Sequence, residues 1–174
     1  MKKLPKLVIT DIDGVWTDGG MYYSENGDEL KKFNTYDSAG VLFCKLLNIP
    51  VCVITGEDTH IVKRRAGKLN IEHLYMGVKD KVKVAKELID TLNISWEDVA
   101  FLGDDLNDMG LLQKVGTAGV VASSPDYIKK YADLVTIKNG GQGAFREFVE
   151  TILIENEKMD QVLEIYNQSN KRAQ

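Results

Sequence analysis

The 174-residue chain carries 22 basic and 26 acidic residues, a net charge of −4, and 44% apolar residues; this is the balance of an ordinary folded domain and the wrong sign for a protein whose main partner is nucleic acid. No apolar stretch reaches the roughly 20 residues that cross a bilayer, and the N-terminus lacks a signal-peptide hydrophobic region. The expectation is a cytoplasmic chain, folded as one domain over 1–174, with no membrane partner.

Residues 7–10 form an apolar, strand-like run that stops at Asp11 and Asp13, with Gly14 directly after. Two carboxylates that close, at the end of a buried strand, repel each other unless a cation or a shared proton compensates. Residues 19–34 come next, two β-prone stretches flanking Asn26-Gly27, a hairpin signal. This is either a flap over a site at the carboxyl edge of the sheet or an ornamental exposed hairpin; Tyr22, Tyr23 and Phe33 ask for a packing surface. Asp37 and Ser38 are placed to cap a helix carrying Val41, Leu42, Leu46 and Leu47.

A second strand, 51–55, closes on Thr55, Gly56 and Glu57, and an amphipathic run follows over 61–69. Lys81 opens a helix over 82–92, and Ser95 with Asp98 forms a short capped turn before the strand 99–102. That strand runs into Asp104, Asp105 and Asp108, followed by apolar segments at 106–113 and 119–122. Strand and helix alternate, which predicts an α/β fold, a parallel sheet with helices on both faces. The cysteines, Cys44 and Cys52, sit in apolar contexts and read as buried reduced thiols.

In a doubly wound sheet the carboxyl edges of these strands converge. Carboxylates from two strand ends suit a hard cation, with Mg²⁺ the best match, and a hydroxyl, a backbone N–H and a lysine beside it would cradle a phosphoryl group. A single acidic turn reads most simply as a cap, but caps do not explain four matched strand ends. Asp18 and Asp105 fit turn or cap roles, and His60 and His73 have no partner at metal spacing.

The ordered set DIDGVWTDG, ITG, Lys81 and GDDLND resembles the signatures of the haloacid dehalogenase superfamily over nearly the whole chain. The resemblance implies a Rossmann-like sheet with Asp11 as the nucleophile that forms an aspartyl-phosphate and Asp13 as the acid and base. It also implies Mg²⁺ held by Asp11, the Asp13 backbone carbonyl and Asp104, with Asp108 ordering its waters or Lys81, while Thr55, the Gly56 N–H and Lys81 bind the transferring oxygens. There is no room for a separate cap domain, since the gap after the first strand holds only the hairpin flap. A site left open in this way requires another subunit to complete it.

The segments DIDGVWTDG, LYMGVKDK, SWEDVAFLGDDLNDMGLL and GGQGAFRE, with the hairpin, further resemble the 3-deoxy-manno-octulosonate 8-phosphate phosphatases. These are capless, Mg²⁺-dependent homotetramers acting on phosphorylated α-keto sugar acids, in which hairpins associate and a neighbour's C-terminal tail reaches the active site. The polar end of this chain, about 164–174, is placed for that role or for fraying.

Where that family typically has Thr-Gly-Arg, this chain has Thr55-Gly56-Glu57, an anion that repels a carboxylate and prefers hydroxyl or ammonium donors. Two cations on the following helix are, with Gly56 and Glu57, the candidate substrate contacts: Arg65, matching an arginine of that family, and Lys68, where the family commonly has a small neutral residue. Glu57 and Lys68 stand eleven residues apart, roughly 16 Å along a straight helix, so they read as separate contacts to ligand or neighbour, or as a solvated helix face. The change favours the related 2-keto-3-deoxynononate 9-phosphate phosphatases, enzymes of sialic-acid-type biosynthesis, with the octulosonate 8-phosphate and N-acetylneuraminate 9-phosphate as alternatives. Of other classes, a non-catalytic oligomerisation module of a sialic-acid-activating enzyme and a phospho-accepting receiver domain remain to be weighed; neither needs all of Asp11, Asp13, Thr55, Lys81 and Asp104.

Overall fold

Strands buried on both faces need no polar alternation, which is why the centre of this molecule is written in short runs of Val, Ile, Leu and Ala. The computed structural model describes residues 2–27 and 29–172. The chain begins with β1 (Leu7–Thr10), the hairpin strands β2 (Tyr22–Tyr23) and β3 (Glu29–Leu30), α1 (Asp37–Leu46), β4 (Val51–Ile54) and α2 (His60–Lys68). It continues through β5 (His73–Tyr75), α3 (Lys81–Leu92), β6 (Val99–Gly103), α4 (Met109–Leu112) and β7 (Thr117–Val120). It ends with α5 (Asp126–Lys129), β8 (Leu134–Val135), α6 (Ala144–Glu155) and α7 (Met159–Arg172).

Six strands form one parallel sheet in the order β5-β4-β1-β6-β7-β8. One core packs α1, α6 and the start of α7 on one face through Val41, Phe145, Phe148 and Val162. The other packs α3 and α4 on the opposite face through Ala85, Leu88, Ile89 and Leu111. This is the expected α/β architecture. The edge strands β5 and β8 lie outside the apolar runs in the sequence, because three half-buried residues in one and a half-buried and an exposed residue in the other give too short a pattern to detect.

The chain leaves β1 towards β4 and β5 and then returns to β6 on β1's other side, so β1 and β6 sit at the topological switch point where a crevice opens. Register fixes the crevice: Thr10 pairs with Val53 on one side and Leu102 on the other, so Thr55 and Asp104 each emerge one residue beyond the level of Asp11, at the same edge of the sheet. The turn after β1 is rigid. Trp16, buried, donates from Nε1 to Thr10 Oγ1 at 3.0 Å and packs on Phe145 at 4.9 Å between ring centres.

Two local expectations resolve differently. Asp37 is the first residue of α1 rather than its cap; its buried carboxylate accepts from the Arg146 backbone N–H at 3.2 Å, tying α1 to α6. Ser95 and Asp98 do form the capping box, with Ser95 N donating to Asp98 Oδ2 at 3.2 Å. Cys44 and Cys52 are buried free thiols, and burial pushes Cys44 up to about 12. Among the described residues no helix is long and apolar enough to cross a membrane.

The hairpin is present but short, closing with Gly27 N donating to Ser24 O at 3.1 Å; Asp28, within the expected flap, lies outside the described residues. The C-terminal segment expected as a polar tail is instead helical through Arg172, and Ala173 and Gln174 lie outside the described residues.

The turn before α6 closes on the β1 loop. A Cβ at Gly140 would lie 1.8 Å from the Gly14 carbonyl oxygen, and Gly141 N donates to Val15 O at 3.0 Å. Gly140→Ala is therefore expected to lower unfolding stability by about 1–3 kcal/mol, the range for forced overpacking, and urea denaturation measures it.

Candidate active site

The end of β1 places Asp11 at the floor of a cavity of about 390 Å³, whose lining also includes Asp13, Thr55, Gly56, Glu57, Asp104 and Asn107. Lys81, first residue of α3, is driven into this floor by a helix whose other face packs in the core. Asp80 caps that helix, accepting from Lys83 N at 3.0 Å, and so fixes where Lys81 starts. Lys81 Nζ lies 2.9 Å from Asp11 Oδ2 and 2.7 Å from Asp108 Oδ1, with all three side chains at most 5% exposed. Asp108 in turn accepts the Asp104 N–H at 2.8 Å through its other oxygen, which locks the β6 loop around the lysine.

Asp11, Asp104 and Asp108 each offer a carboxylate oxygen within 4.8 Å of the others. Asp11 Oδ1 is buried and has no hydrogen-bond partner, an orphaned acceptor that a bound cation would satisfy. An all-oxygen set of carboxylates fits a hard divalent ion such as Mg²⁺. The backbone approaches closely here: Gly14 has φ +85°, and a Cβ on it would lie 1.9 Å from Asp104 Oδ2.

The electrostatics reflect that crowding. Burial, then Asp108, raises Asp11 to about 6, against the opposing pull of Lys81. Burial, then Asp108, Asp11 and Asp105, raises Asp104 to about 8. For Lys81, burial acts to lower the pKa, but Asp11 and Asp108 outweigh it and hold the ammonium above its ordinary value.

Asp13 faces the cavity 28% exposed, accepting from Thr17 Oγ1 at 3.3 Å. Thr55 is buried at the cavity wall with the Gly56 backbone beside it. The sequence missed Lys31. Its Nζ sits 2.6 and 2.7 Å from the two oxygens of Asp13 and 2.5 Å from Glu57 Oε2. Strand alternation after Asn26-Gly27 was the available signal, since it turns Leu30 outward and Lys31 inward.

Three expectations change. Glu57 is not on the helix with Lys68: α2 begins at His60, capped by Thr59, so the eleven-residue helical spacing does not apply. Arg65 is not among the cavity-lining residues; its guanidinium donates to Asn34 O at 3.1 Å and Ser38 Oγ at 3.0 Å and lies over Trp16 and Phe33, pinning the returning limb of the hairpin. Lys68 is exposed at the end of α2, also outside the lining. Asp18 and Asp105 take turn roles, accepting from Gly20 N at 3.0 Å and Leu106 N at 2.7 Å. A second cavity of about 380 Å³ opens near the start of β4 and β5, at the sheet edge opposite the carboxylates.

Two aspartates two residues apart, a threonine and a buried lysine around a cluster of carboxylates at a switch point are the arrangement a phosphoryl-transferring hydrolase needs. The chain belongs to the haloacid dehalogenase-like hydrolases, whose family profile matches residues 57–148. It is similar to the 3-deoxy-D-manno-octulosonate 8-phosphate phosphatase of Salmonella typhi, 40% identical over 156 residues that cover 90% of this chain and 83% of the relative. Among solved structures it resembles a probable YrbI-family phosphatase from Pseudomonas syringae, with TM-score 0.90, 40% identity and 94% and 93% of the two chains covered. It also resembles the 3-deoxy-D-manno-octulosonate 8-phosphate phosphatase of Moraxella catarrhalis, crystallised with magnesium, phosphate and the sugar acid, with TM-score 0.88, 33% identity and 93% of each chain covered. The chain is a phosphatase of this family.

Asp11 and Asp104 bind protons more tightly folded than unfolded, so the stability those protons confer is present below about pH 4 and is lost as pH rises towards 8. Asp37, raised to about 6 chiefly by its own burial, adds to the same slope at a site far from the cation. Metal-free protein should therefore melt progressively lower between about pH 5 and pH 8, and Mg²⁺ should restore more at pH 8 than at pH 5. Thermal melts with and without Mg²⁺ check this; equal stabilisation at both values would refute it.

Proposed function

We propose that the chain hydrolyses the phosphomonoester of an α-keto sugar acid, 2-keto-3-deoxynononate 9-phosphate, through an aspartyl-phosphate on Asp11. The observation that carries the chemistry is the Asp11 carboxylate, held by Lys81 through one oxygen and unpartnered on the other, with Asp13 lining the same cavity. In the first step Asp11 attacks phosphorus, the ester P–O bond breaks, and Asp13 gives the leaving alcohol its proton. In the second, Asp13 takes a proton from water, the resulting oxygen attacks phosphorus, and phosphate and free Asp11 are released. Lys81 and the Thr55 hydroxyl stabilise the phosphoryl oxygens as they pass between donor and acceptor. Bound at Asp11 and Asp104, Mg²⁺ supplies the positive charge that lets a dianionic ester approach a carboxylate nucleophile.

Non-catalytic readings have little support, because a module with no turnover has no use for a desolvated nucleophile and a second cavity-facing aspartate. For the sugar, support comes from Glu57. Lys31 takes only its Oε2, and a carboxylate has capacity left to accept from a sugar hydroxyl. Asp13, Lys31 and Glu57 together still carry a net negative charge, and a nine-carbon chain holds its own carboxylate further from them than an eight-carbon one. The relatives favour the second reading, the octulosonate 8-phosphate. Mg²⁺-dependent phosphate release from these two esters and N-acetylneuraminate 9-phosphate tests the assignment: the nononate ester should show the highest kcat/KM, and a higher value for the octulosonate ester would overturn it.

The proposed assembly is a homotetramer in which a neighbouring subunit shelters the open cavity. Met21, Tyr22, Tyr23 and Leu30 are exposed apolar side chains on the hairpin, Tyr22 and Leu30 paired on one side and Tyr23 on the other, with Tyr23 69% and Leu30 66% exposed, of the kind that marks association surfaces. Light scattering should give a tetramer mass for the native chain and a smaller one for Tyr23→Lys/Leu30→Lys; a monomeric native chain would exclude this arrangement.

A further inference from the structure

The hairpin is built with its polarity reversed. Leu30 points to solvent, while the next residue, Lys31, has its side chain only 2% exposed. The hydrophobic effect alone would choose the opposite, since lysine is almost never buried unless it is paired. The buried ammonium is compensated by two carboxylates from two other loops: Asp13, from the turn after β1, through both oxygens, and Glu57, from the turn after β4. Hydrogen bonds to these partners outweigh burial and keep Lys31 charged.

The limb that carries Lys31 is itself anchored. Asn34, three residues on, gives its carbonyl to Arg65 and donates from Nδ2 to Gly141 O at 3.2 Å; Phe33 packs against the core. The Lys31 ammonium is thus held from behind by the scaffold and from the side by Glu57, and its bidentate contact fixes the plane of the Asp13 carboxylate. The only other side-chain contact recorded for that carboxylate among the described residues is the long 3.3 Å bond from Thr17. A 28% exposed aspartate with one weak bond would swing freely; the lysine prevents it.

We infer that Lys31 is a positioning residue for Asp13, held in place by Glu57, so that the hairpin of each subunit sets the acid–base geometry of its own active site. This rests on the phosphatase reading above and adds that Glu57 serves the reaction through Lys31. It predicts a defect in the step that needs Asp13 most, transfer of a proton from water during hydrolysis of the aspartyl-phosphate.

p-Nitrophenyl phosphate isolates that step. Asp11 attacks phosphorus and the P–O bond breaks, releasing nitrophenolate, which leaves without a proton; turnover then waits for Asp13 to deprotonate the water that displaces Asp11 from phosphorus. Lys31→Met should release one nitrophenolate per site in a burst and then turn over about 100-fold more slowly than native, the scale of loss for a displaced catalytic group. Lys31→Arg should recover most of that rate. Glu57→Gln should slow turnover on the native background and add nothing on Lys31→Met, because its effect passes through the lysine. A variant that merely misfolds would lose burst and turnover together, and circular dichroism identifies it; if Lys31→Met does so, the burst and rate of Glu57→Gln carry the same test. Turnover of a folded Lys31→Met within twofold of native, or equal effects of Glu57→Gln with and without Lys31, would overturn the inference. Asp11→Asn should release no nitrophenolate at all, and release at the native rate would instead remove the phosphatase reading itself.

Discussion

A single buried ammonium organises this molecule. Lys81 joins Asp11 from β1 to Asp108 from the loop after β6, and all three side chains are almost wholly withdrawn from water. Desolvating such groups is costly, and the attraction repays it only where geometry is good and every charge has a partner; removing one member typically costs about 3–5 kcal/mol because it strands the others. Two carboxylates and one ammonium are not balanced, and Asp104 adds to the excess. Burial first, and then the residual negative charge, pushes Asp11 and Asp104 towards protonation. The same frustration makes the site select a cation: an ion that binds there relieves strain the folded chain already holds.

Position does the rest. Because β1 lies between β4 and β6, its carboxyl end faces a crevice that neither neighbour closes, and three loops deliver their polar residues to one edge of the sheet. Each loop is short and braced. The β1 turn is held by Trp16 against Thr10 and Phe145 and by the glycine-rich turn before α6, and the β6 loop by Asp108 against the Asp104 N–H. The Asp11 carboxylate, with so little freedom, has much of its orientation settled before any ligand arrives.

The parts of this arrangement legible in the sequence are those whose signal is local. The runs at β1, β4 and β6 end abruptly in acidic or hydroxyl residues, and that juxtaposition declares both the strands and the floor of the site. Asn26-Gly27 declares the hairpin. What stayed hidden depends on tertiary geometry. Alternation after Asn26-Gly27 sets Lys31 and Lys32 on opposite sides, but only the fold reveals that two carboxylates wait on the inner side: Lys31 is buried between them and Lys32 stays exposed. Arg65 reads as a ligand contact because it is a cation on the helix after the β4 turn and matches an arginine of the resembling family; only the fold reveals that Phe33 and Trp16 lie under its guanidinium. The eleven-residue spacing of Glu57 and Lys68 suggests one helix, but the cap falls at Thr59, two residues after Glu57. The helix α6 shows the opposite case, with Phe145, Phe148, Val149 and Ile152 at helical spacing and all buried; the periodicity was there, but the motif GGQGAFRE drew attention to its first turn alone.

The proposed catalytic and quaternary roles meet on the hairpin. Tyr22 and Leu30, paired on its outer face, are exposed, while Lys31 on the inner side reaches Asp13 and Glu57. A two-residue ladder is too short to be stable alone, so the hairpin's conformation must come from what it touches. Within this chain those anchors are Lys31 at the site, Phe33 in the core, and Asn34 against Arg65 and Gly141. If a neighbouring subunit covers the outer face, burial there is transmitted through two residues of backbone to the ammonium beside Asp13. Assembly and acid–base geometry then share one element, and a phosphatase without a cap domain acquires a route by which its quaternary state sets the reactivity of each site.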